Sequence, residues 1–239
     1  MRLSIIIPLY NEENTISTVL ERIASSGIEK RTSFLEIIIV DDCSTDDSYN
    51  RVNLLSKSFS IPIQLFKHEK NMGKGAAVRL GVAKAEGDII LLQDADLELY
   101  PEDVPRMMEA MSDLNVSFIN GSRYMPGVIR PLHSYKRYLG NAFFSWMTSV
   151  LIDVRITDMA CGYKLIRKEL LDHIVLKENR FGIEAELILK VMRIKKNTIA
   201  EVPVRYAPRN SGDGKKLGNG DALKIFWTIF KVGILRKKK

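Results

Sequence analysis

The sequence has few cysteines and no long apolar segment. The first feature argues against a disulfide or cysteine-metal framework, and the second argues against a membrane-spanning helix. Only two cysteines, Cys43 and Cys161, occur in 239 residues, and they lie too far apart for a metal-ligand spacing. We therefore expect free thiols in a reducing, cytoplasmic compartment. No apolar run reaches the roughly 20 residues that a membrane-spanning helix needs. Met1 and Arg2 lead directly into a strand-like segment, so we expect no signal peptide.

The sequence also lacks internal repeats and any linker rich in Gly, Ser or Pro that would separate two domains. A chain of this length can bury an extensive core. The formal net charge is +7, and cations are concentrated near the end, at Lys215, Lys216 and residues 236–239. No aromatic and basic motif typical of nucleic-acid binding accompanies them. We therefore expect an anionic lipid or a phosphorylated ligand as the partner, and no nucleic acid.

Strand-like and helix-like segments alternate through the first hundred residues. Four apolar, β-branched segments are each short enough to form a buried strand, and a helix-like segment follows each of the first three. The strand-like segments are residues 3–9, 34–40, 61–66 and 88–92. With right-handed crossovers, this alternation folds as a parallel sheet with helices on both faces. The sequence therefore predicts an α/β fold.

The pattern changes after Pro101. Helix-like segments span residues 102–114, 136–152, 169–174 and 184–195, and strand-like segments span residues 116–121 and 199–206, with a loop at 122–133. Pro203 removes a backbone donor from the last of these strands, which predicts that this strand lies at an edge of the sheet. We predict a single compact domain over residues 1–220, followed by an amphipathic, basic C-terminal tail over residues 221–239.

The segment GDIILLQDADLELYP, residues 87–101, brings three acids to the end of the fourth strand. Asp94 and Asp96 alternate along an extended chain, so their side chains lie on one side of the strand end, and Glu98 follows two residues later. Carboxylates this close repel one another unless a cation joins them, and hard oxygen ligands suit Mg²⁺ or Mn²⁺. The pattern predicts a divalent metal that holds a diphosphate. The alternative is a solvated acidic loop after a core strand.

Potential ligand groups also follow the other strands. In chain order they are Pro8, Tyr10 and Glu12, then Asp41 and Asp42, then Lys74, and finally Gln93 beside the acids. Parallel strands place these groups at one edge of the sheet, where open α/β folds bind ligands. An aromatic ring beside carboxylates suits a nucleobase and a ribose, while Gly73 and Gly75 at a helix start allow Lys74 and the backbone to approach phosphate. Taken singly, the same residues also fit a turn, a core aromatic and a helix cap.

Five segments in order resemble glycosyltransferase family 2 and, within it, the polyprenyl-phosphate glycosyltransferases similar to dolichol-phosphate mannose synthase. These segments are LSIIIPLYNEE, IIIVDDCSTDDS, KNMGKGAAVRLGVAKAEGD, LLQDADLE and NGSRY. The resemblance extends over almost the whole chain and implies a GT-A fold. In that fold a Rossmann-like half that binds the nucleotide-sugar, residues 1–100, joins an acceptor-binding half, residues 101–220, without a linker.

The resemblance implies roles on the donor side. The base and ribose would be held by Pro8, Tyr10, Glu12 and Asp42. Asp94 would contact the nucleotide and the metal-bound diphosphate, and Asp96 with Glu98 would complete a Mg²⁺ or Mn²⁺ site. Glu98 stands where the mannose synthases usually have Gln, and as an anion it is chemically compatible with either metal. The remaining donor-binding candidates are Lys74, Gln93 and, in a loop that would close over the diphosphate, Arg209 and Lys215.

The resemblance also implies roles on the acceptor side. Arg123, Arg137 and Asn141 match positions that grip the acceptor phosphate, a task for which guanidinium forks are suited. The alternative is that either arginine is a surface residue with a buried stem. Asp158, ahead of the segment CGYK, would face the donor sugar. Glu184, in a segment that resembles F-x-x-E, would be a sugar contact or a structural acid.

These features imply an inverting, metal-dependent glycosyltransferase that moves a hexose from a GDP- or UDP-sugar to a polyprenyl or dolichyl phosphate. A phosphate oxygen is already ionised at neutral pH, so no strong base is needed, and the catalytic candidates are Asp96, Asp158 and Arg123. One alternative is a saccharide acceptor, as in the synthesis of cell-surface polysaccharides. Another is a sugar-nucleotide nucleotidyltransferase, which would need a Gly-rich loop after the first strand, where this chain has PLYNEE. A non-catalytic lipid-binding module would leave the three acids unused.

The C-terminal tail has the pattern of a helix that lies in a membrane surface. Lys224, Thr228 and Lys231 share one helical face, the other face is apolar and aromatic, and residues 236–239 are basic. We therefore expect a peripheral protein on the cytoplasmic face of the membrane, with the tail as its membrane contact. The alternatives are that the apolar face packs on the protein's own core, or that a membrane-embedded partner subunit gives access to the lipid.

Overall fold

The alternation predicted for the first hundred residues is present in the computed structural model of the chain, which describes residues 1–126, 128, 131, 134–194, 199–209 and 219–235. The strands are β1 (Arg2–Leu9), β2 (Phe34–Asp41), β3 (Ile63–Lys67) and β4 (Ile89–Leu92), and the helices between them are α1 (Ile16–Ser25), α2 (Ser48–Leu55) and α3 (Lys74–Lys84). β1 pairs in parallel with β2 and β4, and β2 pairs in parallel with β3. The predicted parallel sheet is confirmed for this half.

The second half extends the same sheet. Its strands are β5 (Phe118–Ser122), β6 (Lys164–Arg167) and β7 (Ile199–Pro203), and its helices are α4 (Val104–Asp113), α5 (Tyr135–Ile152), α6 (Lys168–Asp172), α7 (Ile183–Ile194) and α8 (Asn219–Gly233). The strand order is β3-β2-β1-β4-β6-β5-β7. β6 is antiparallel to β4 and β5, whereas β7 is parallel to β5 and lies at the edge, as Pro203 predicted. The mostly parallel α/β fold is confirmed.

β6 is the strand that the sequence does not predict. It has only four residues, KLIR, and it begins with Lys164, which is fully buried. A short segment that includes a lysine gives no apolar run and no clear alternation, which are the two patterns that indicate a strand. Its position between β4 and β5 carries the preceding loop, with Gly162, to the acids that follow β4.

Alternate residues of the central strands point to opposite faces of the sheet and build two apolar cores. On β1, Leu3 and Ile5 pack with residues of α1 and α4, whereas Ile6 packs with residues of α3 and α7. All three are fully buried, and burying one such side chain contributes about 1.5–3 kcal/mol. The prediction that helices cover both faces is confirmed.

Helix α8 is part of the second core. Ile225 and Ile229 are buried there beside residues of α7. Thr228 is also buried, and its hydroxyl donates to the Lys224 carbonyl at 2.9 Å. The prediction that Lys224, Thr228 and Lys231 form one polar face is therefore wrong for Thr228, because that part of the helix faces the protein. The helix packs on its own domain along one side.

The other side of α8 is open to solvent. Leu223, Trp227 and Ile234 are exposed there. None of the helices in the described part of the chain is long and apolar enough to cross a membrane. Two segments named from the sequence, the loop at 210–218 with Lys215 and the basic end at 236–239, lie outside the described residues.

Candidate active site

A cavity of about 420 Å³ lies at the carboxyl ends of β1, β2 and β4. Neighbouring parallel strands end at a common edge of the sheet, so side chains that follow them come together although they are distant in sequence. Eleven of the predicted site residues line this cavity: Pro8, Tyr10, Glu12, Asp42, Lys74, Asp94, Asp96, Glu98, Arg123, Glu184 and Arg209.

Lys74 joins two acids on the cavity wall. Its ammonium Nζ lies 2.7 Å from Asp94 Oδ1 and 2.7 Å from Glu184 Oε1. Burial opposes the charge of Lys74, but the two carboxylates outweigh burial and raise its pKa above the ordinary value. The other oxygen of Glu184, Oε2, is buried and has no hydrogen-bond partner among the described residues. An unsatisfied carboxylate oxygen at a cavity wall is a candidate acceptor for a ligand hydroxyl.

Gly162 makes room for Asp94. A Cβ atom at this position would collide with Asp94 Oδ2. Any side chain here would therefore displace the carboxylate from its place beside Lys74. This close approach of Asp94 explains why a glycine occupies position 162, in the segment CGYK.

Asp96 and Glu98 contact the segment that follows β7. Asp96 Oδ2 lies 3.6 Å from Nη2 of Arg209. Glu98 accepts hydrogen bonds from the Tyr206 hydroxyl at 3.2 Å and from the Arg209 backbone N–H at 3.1 Å. Burial, together with the negative charges of Asp94 and Glu98, raises the pKa of Asp96 to about 7. An added cation would stabilise a carboxylate in such surroundings.

The acids fit a metal ion that also binds a ligand. No three His, Cys, Asp or Glu side chains in the described part of the chain converge as a metal site. Asp94 pairs with Lys74, and Glu98 accepts from Tyr206. The available metal ligands are carboxylate oxygens, and Mg²⁺ is ordinarily held by one or two carboxylates together with substrate phosphates. The residues therefore suit an ion whose coordination is completed by a diphosphate.

Arg209 brings a cation to the part of the cavity wall that carries Glu12 and Asp96. Its Nη2 donates to Glu12 Oε2 at 2.7 Å, and Glu12 also accepts from the Thr15 hydroxyl at 2.8 Å. Burial opposes the charge of Arg209, but the hydrogen bond to Glu12 and the charge of Asp96 raise its pKa. Arg209 therefore remains charged and is shared between two acids that line the same cavity.

Asp42 orders the segment before α3. Its Oδ1 accepts from the Met72 N–H at 2.8 Å and lies 2.7 Å from His68 Nδ1, while Oδ2 accepts from the Gly73 N–H at 2.7 Å. The residue is buried but still contributes to the cavity wall. Its carboxylate is thus fixed in place by the chain before any ligand binds.

Protein backbone closes the N-terminus of α3, which corrects the expectation that its glycines admit a phosphate. The N–H groups of Gly75 and Ala76 both donate to the Asn179 carbonyl, at 2.8 and 3.2 Å. A Cβ atom at Gly73 or Gly75 would collide with the backbone at residues 178–179. The glycines therefore allow two backbone segments to approach each other. Gly73 and the side chain of Lys74 still line the cavity.

Arg123 enters the cavity beyond the end of β5 and has a buried counter-ion. Asp158 accepts from its Nε at 2.7 Å, its Nη2 at 2.9 Å and its backbone N–H at 3.0 Å. The rings of Tyr124 and Tyr206 lie 5.6 and 5.0 Å from the guanidinium carbon. Asp158 is fully buried behind Arg123 and does not line the cavity, which corrects the expectation that it faces the donor sugar.

Five other predicted residues are not on the described cavity wall, and one of them, Asp41, is fully buried. Gln93 is buried, and its amide donates to the Asp94 carbonyl at 2.9 Å. Arg137 is exposed in the first turn of α5, and Asn141 lies one turn further along the same helix. Neither lines the cavity. Lys215 lies outside the described residues.

The wall also contains residues that the sequence did not single out, namely Asn71, Ala160, Arg180 and Ile225. Arg180 immediately precedes the segment that resembles F-x-x-E, and this adjacency was the only signal for it. Ile225 reaches the cavity because α8 packs beside α7. Such packing between distant helices leaves no local pattern in a sequence.

Two curated relatives are similar to most of this chain. The chain is 30% identical over 225 residues to the dolichol-phosphate mannosyltransferase of Pyrococcus furiosus. The matched region covers 91% of this chain and 60% of that protein. The chain is 27% identical over 219 residues to an undecaprenyl-phosphate 4-deoxy-4-formamido-L-arabinose transferase of Pseudomonas fluorescens, with 89% and 59% covered. The chain thus spans less than two thirds of the length of each relative.

Solved structures share the fold. Glucosyl-3-phosphoglycerate synthase from Mycobacterium tuberculosis, in complex with Mn²⁺, UDP and phosphoglyceric acid, matches with a TM-score of 0.74 at 18% identity, over 99% of this chain and 80% of that chain. The same enzyme with Mg²⁺ and UDP matches with a TM-score of 0.72 at 18% identity, over 97% and 79%. At this identity the likeness concerns the fold alone.

A family model matches the part of the chain that carries most of the cavity wall. The model for glycosyl transferase family 2 matches residues 4–175, from β1 to beyond α6. This range is well over half of the chain and includes the ends of β1, β2 and β4 as well as Arg123. The chain belongs to glycosyl transferase family 2.

Proposed function

We propose that this chain is an inverting glycosyltransferase that moves a hexose from a GDP- or UDP-linked sugar to a polyprenyl phosphate. One observation carries the proposal: a single cavity holds the acids that follow β4 and, from another element, an arginine with a buried counter-ion. The acids suit a metal-bound diphosphate, and the arginine suits a second phosphate. The names of the two relatives, which include dolichol phosphate and undecaprenyl phosphate, support a lipid phosphate as acceptor.

Residues 1–100 would form the donor half. Pro8, Tyr10, Glu12 and Asp42 line one part of the cavity and would hold the base and ribose. The aromatic ring of Tyr10 suits stacking on a base, and carboxylates suit base N–H and ribose hydroxyl groups. The carboxylate of Asp42 is already fixed by backbone N–H donors.

The diphosphate would lie between the acids and the cations of the cavity. Asp96 would hold Mg²⁺ or Mn²⁺, with Glu98 completing the protein ligands and Asp94 contacting the nucleotide. When bound, the ion supplies positive charge that stabilises the departing nucleoside diphosphate. Arg209 would add a second positive charge, and Lys215, in the segment that follows, would close over the diphosphate.

Lys74 and Glu184 would face the transferred sugar. The two side chains form an ion pair on the cavity wall, and Glu184 has one oxygen without a hydrogen-bond partner among the described residues. A sugar hydroxyl can donate to such an oxygen after a small adjustment of the side chain.

Residues 101–220 would form the acceptor half. Arg123 would orient the acceptor phosphate, while Arg137 and Asn141 on α5 would contact it from outside the described cavity wall. An oxygen of that phosphate would bond to the anomeric carbon as the bond from this carbon to the diphosphate breaks, so the configuration inverts. Orientation and charge stabilisation account for the rate without a strong base. Asp158, which is fully buried, would act by holding Arg123.

The lipid acceptor requires contact with a membrane, which we expect on the cytoplasmic face. Two neighbouring helices, α5 and α8, support a peripheral location. Every third or fourth residue of one side of α5 is apolar and exposed: Tyr135, Leu139, Phe143, Trp146 and Val150. The opposite side of α5 buries Ser145 and Thr148. This arrangement is the reverse of that in a helix that faces water. The exposed residues of α8 and the basic residues 236–239 in the tail would add to the same surface.

Transfer of radiolabel from a panel of UDP- and GDP-sugars to a short polyprenyl phosphate tests the proposal. With Mg²⁺ or Mn²⁺ present, the purified protein should form labelled lipid from at least one donor, and excess chelator should stop the reaction. No labelled lipid from any donor would contradict the proposed function. Full activity in chelator would contradict the metal requirement alone.

A further inference from the structure

We propose that Glu201 and Asn120 are positioning residues that set the orientation of Arg123 through Asp158. The inference rests on the proposed function, because it assigns to Arg123 the acceptor phosphate. Neither residue lines the cavity. Both act on the loop between α5 and β6, which carries Asp158.

Glu201, on the edge strand β7, holds the start of this loop. Its Oε2 accepts from the Thr157 N–H at 2.8 Å and from the Thr157 hydroxyl at 2.8 Å. Its Oε1 accepts from the Asp158 N–H at 3.4 Å and from Asn120 Nδ2 at 2.9 Å. Each of these partners among the described residues can donate to the carboxylate, so the site suits a side chain that only accepts hydrogen bonds.

Asn120, on β5, holds the same loop from the neighbouring strand. Its Nδ2 also donates to the Asp158 carbonyl at 2.9 Å, and its Oδ1 accepts from Lys164 Nζ at 2.8 Å. Lys164, on β6, donates further to the carbonyls of Met159 at 3.2 Å and Cys161 at 2.9 Å. Three adjacent strands thus fix the backbone on both sides of Asp158.

The network ends at the cavity. Asp158 accepts hydrogen bonds from two guanidinium N–H groups and from the backbone N–H of Arg123, so its position sets the direction in which the guanidinium group points. Three of the five N–H groups of an arginine side chain remain after two are engaged. Asp158 has no exposed surface and does not line the cavity, so it would influence an acceptor through Arg123 and not by direct contact. A misplacement of about 1 Å in a positioning group can reduce a rate about a hundredfold.

Glu201→Gln is the first test, because it keeps the size of the side chain and replaces one acceptor oxygen with an NH₂ group that must face a donor. We expect the KM for polyprenyl phosphate to rise by up to about tenfold, because a misdirected guanidinium weakens its charge-assisted contact with the phosphate. We expect the dissociation constant for UDP or GDP, measured by calorimetry, to stay within about twofold of wild type. Glu109→Gln is the matched control, since Glu109 pairs with Arg31 on the surface and should leave both constants unchanged.

Thr157 provides a second test that stays informative if Glu201→Gln fails to fold. Thr157→Val removes the hydroxyl that donates to Glu201 and should raise the acceptor KM, whereas Thr157→Ser keeps that hydroxyl and should restore it. If these residues had a purely structural role, the substitutions would change both the acceptor KM and the nucleotide dissociation constant, or neither of them. Equal changes in the two constants, or wild-type values in both Glu201→Gln and Thr157→Val, would overturn the inference while wild-type transfer persists. Absence of transfer by the wild-type protein would overturn the proposed function and this inference with it.

Discussion

At Asp96, we expect the charged form of the side chain to favour metal binding and the neutral form to favour the stability of the fold. Burial and neighbouring acids raise its pKa from 3.8 to about 7. A carboxyl group of this kind contributes its full stability while protonated, below about pH 4, and loses that contribution as the pH rises through the folded-state pKa near 7. Asparagine resembles the neutral form, so we expect Asp96→Asn to abolish transfer and yet to stabilise the fold.

Melting temperatures without metal check the stability part of this prediction. The mutant should melt close to wild type at about pH 4 and above wild type at about pH 8, with each kcal/mol adding about 2–4 °C. The same temperature difference at both pH values would show that Asp96 is not the group that titrates. Wild-type turnover by the mutant would contradict the proposed role of Asp96 in metal binding.

Arg123 is the residue on which acceptor affinity should depend. Arg123→Lys keeps a cation beside Asp158, whereas Arg123→Ala would leave a buried, unpaired charge that costs about 3–5 kcal/mol. An ammonium group does not reproduce the planar fork, so we expect the KM for polyprenyl phosphate to rise about tenfold, corresponding to about 1.5 kcal/mol. Calorimetry with UDP or GDP should give a dissociation constant near that of wild type. A loss of nucleotide binding instead would place Arg123 on the donor side.

At the scale of elements, the sequence predicts the parallel strands and the convergence of their ends, because short apolar, β-branched segments indicate the strands and the crossover rule indicates their direction. It does not predict β6, whose four residues include a buried lysine. It also does not predict which partner a group will meet. Asp158 was expected to face a sugar but lies behind Arg123, and Gly75 was expected to admit phosphate but packs on the backbone at residues 178–179. Partners from distant segments decide these outcomes.

The start of α3 offers a test of that close packing. In Gly75→Ala the new Cβ would collide with the Glu178 carbonyl oxygen, and overpacking of this kind costs about 1–3 kcal/mol. We expect the melting temperature to fall by about 2 °C or more. Gly140→Ala is the control, because a Cβ there would meet no other segment of the described residues within 4 Å and alanine favours the α5 helix. Equal melting temperatures for Gly75→Ala and wild type would contradict the packing.

At the scale of the whole molecule, apolar residues exposed on α5 and α8 should bind a membrane surface. We expect the protein to co-sediment with anionic liposomes at low salt and to be released as salt rises, because basic residues near a charged bilayer contribute about 1 kcal/mol each. Trp146→Ala with Trp227→Ala should weaken binding. Leu54→Ala with Leu114→Ala is the control, since both leucines are exposed but belong to other elements, Leu54 to α2 and Leu114 to the end of α4.

Two outcomes would contradict this membrane surface. One is the absence of binding to any liposome, and the other is equal binding to neutral and anionic liposomes. Either result would require another route to the lipid, such as a membrane-embedded partner subunit.

The central claim is that the nucleophile is the phosphate of a lipid, and comparison of matched acceptors tests it most directly. Transfer of labelled sugar should be measured with a polyprenyl phosphate, with the corresponding polyprenol and with a saccharide, at equal concentration and with the same donor and metal. We predict labelled product with the phosphate and none with the alcohol or the saccharide, because only the phosphate supplies an ionised oxygen that Arg123 can orient. Transfer to the saccharide at a rate equal to or above that of the lipid phosphate would contradict the account.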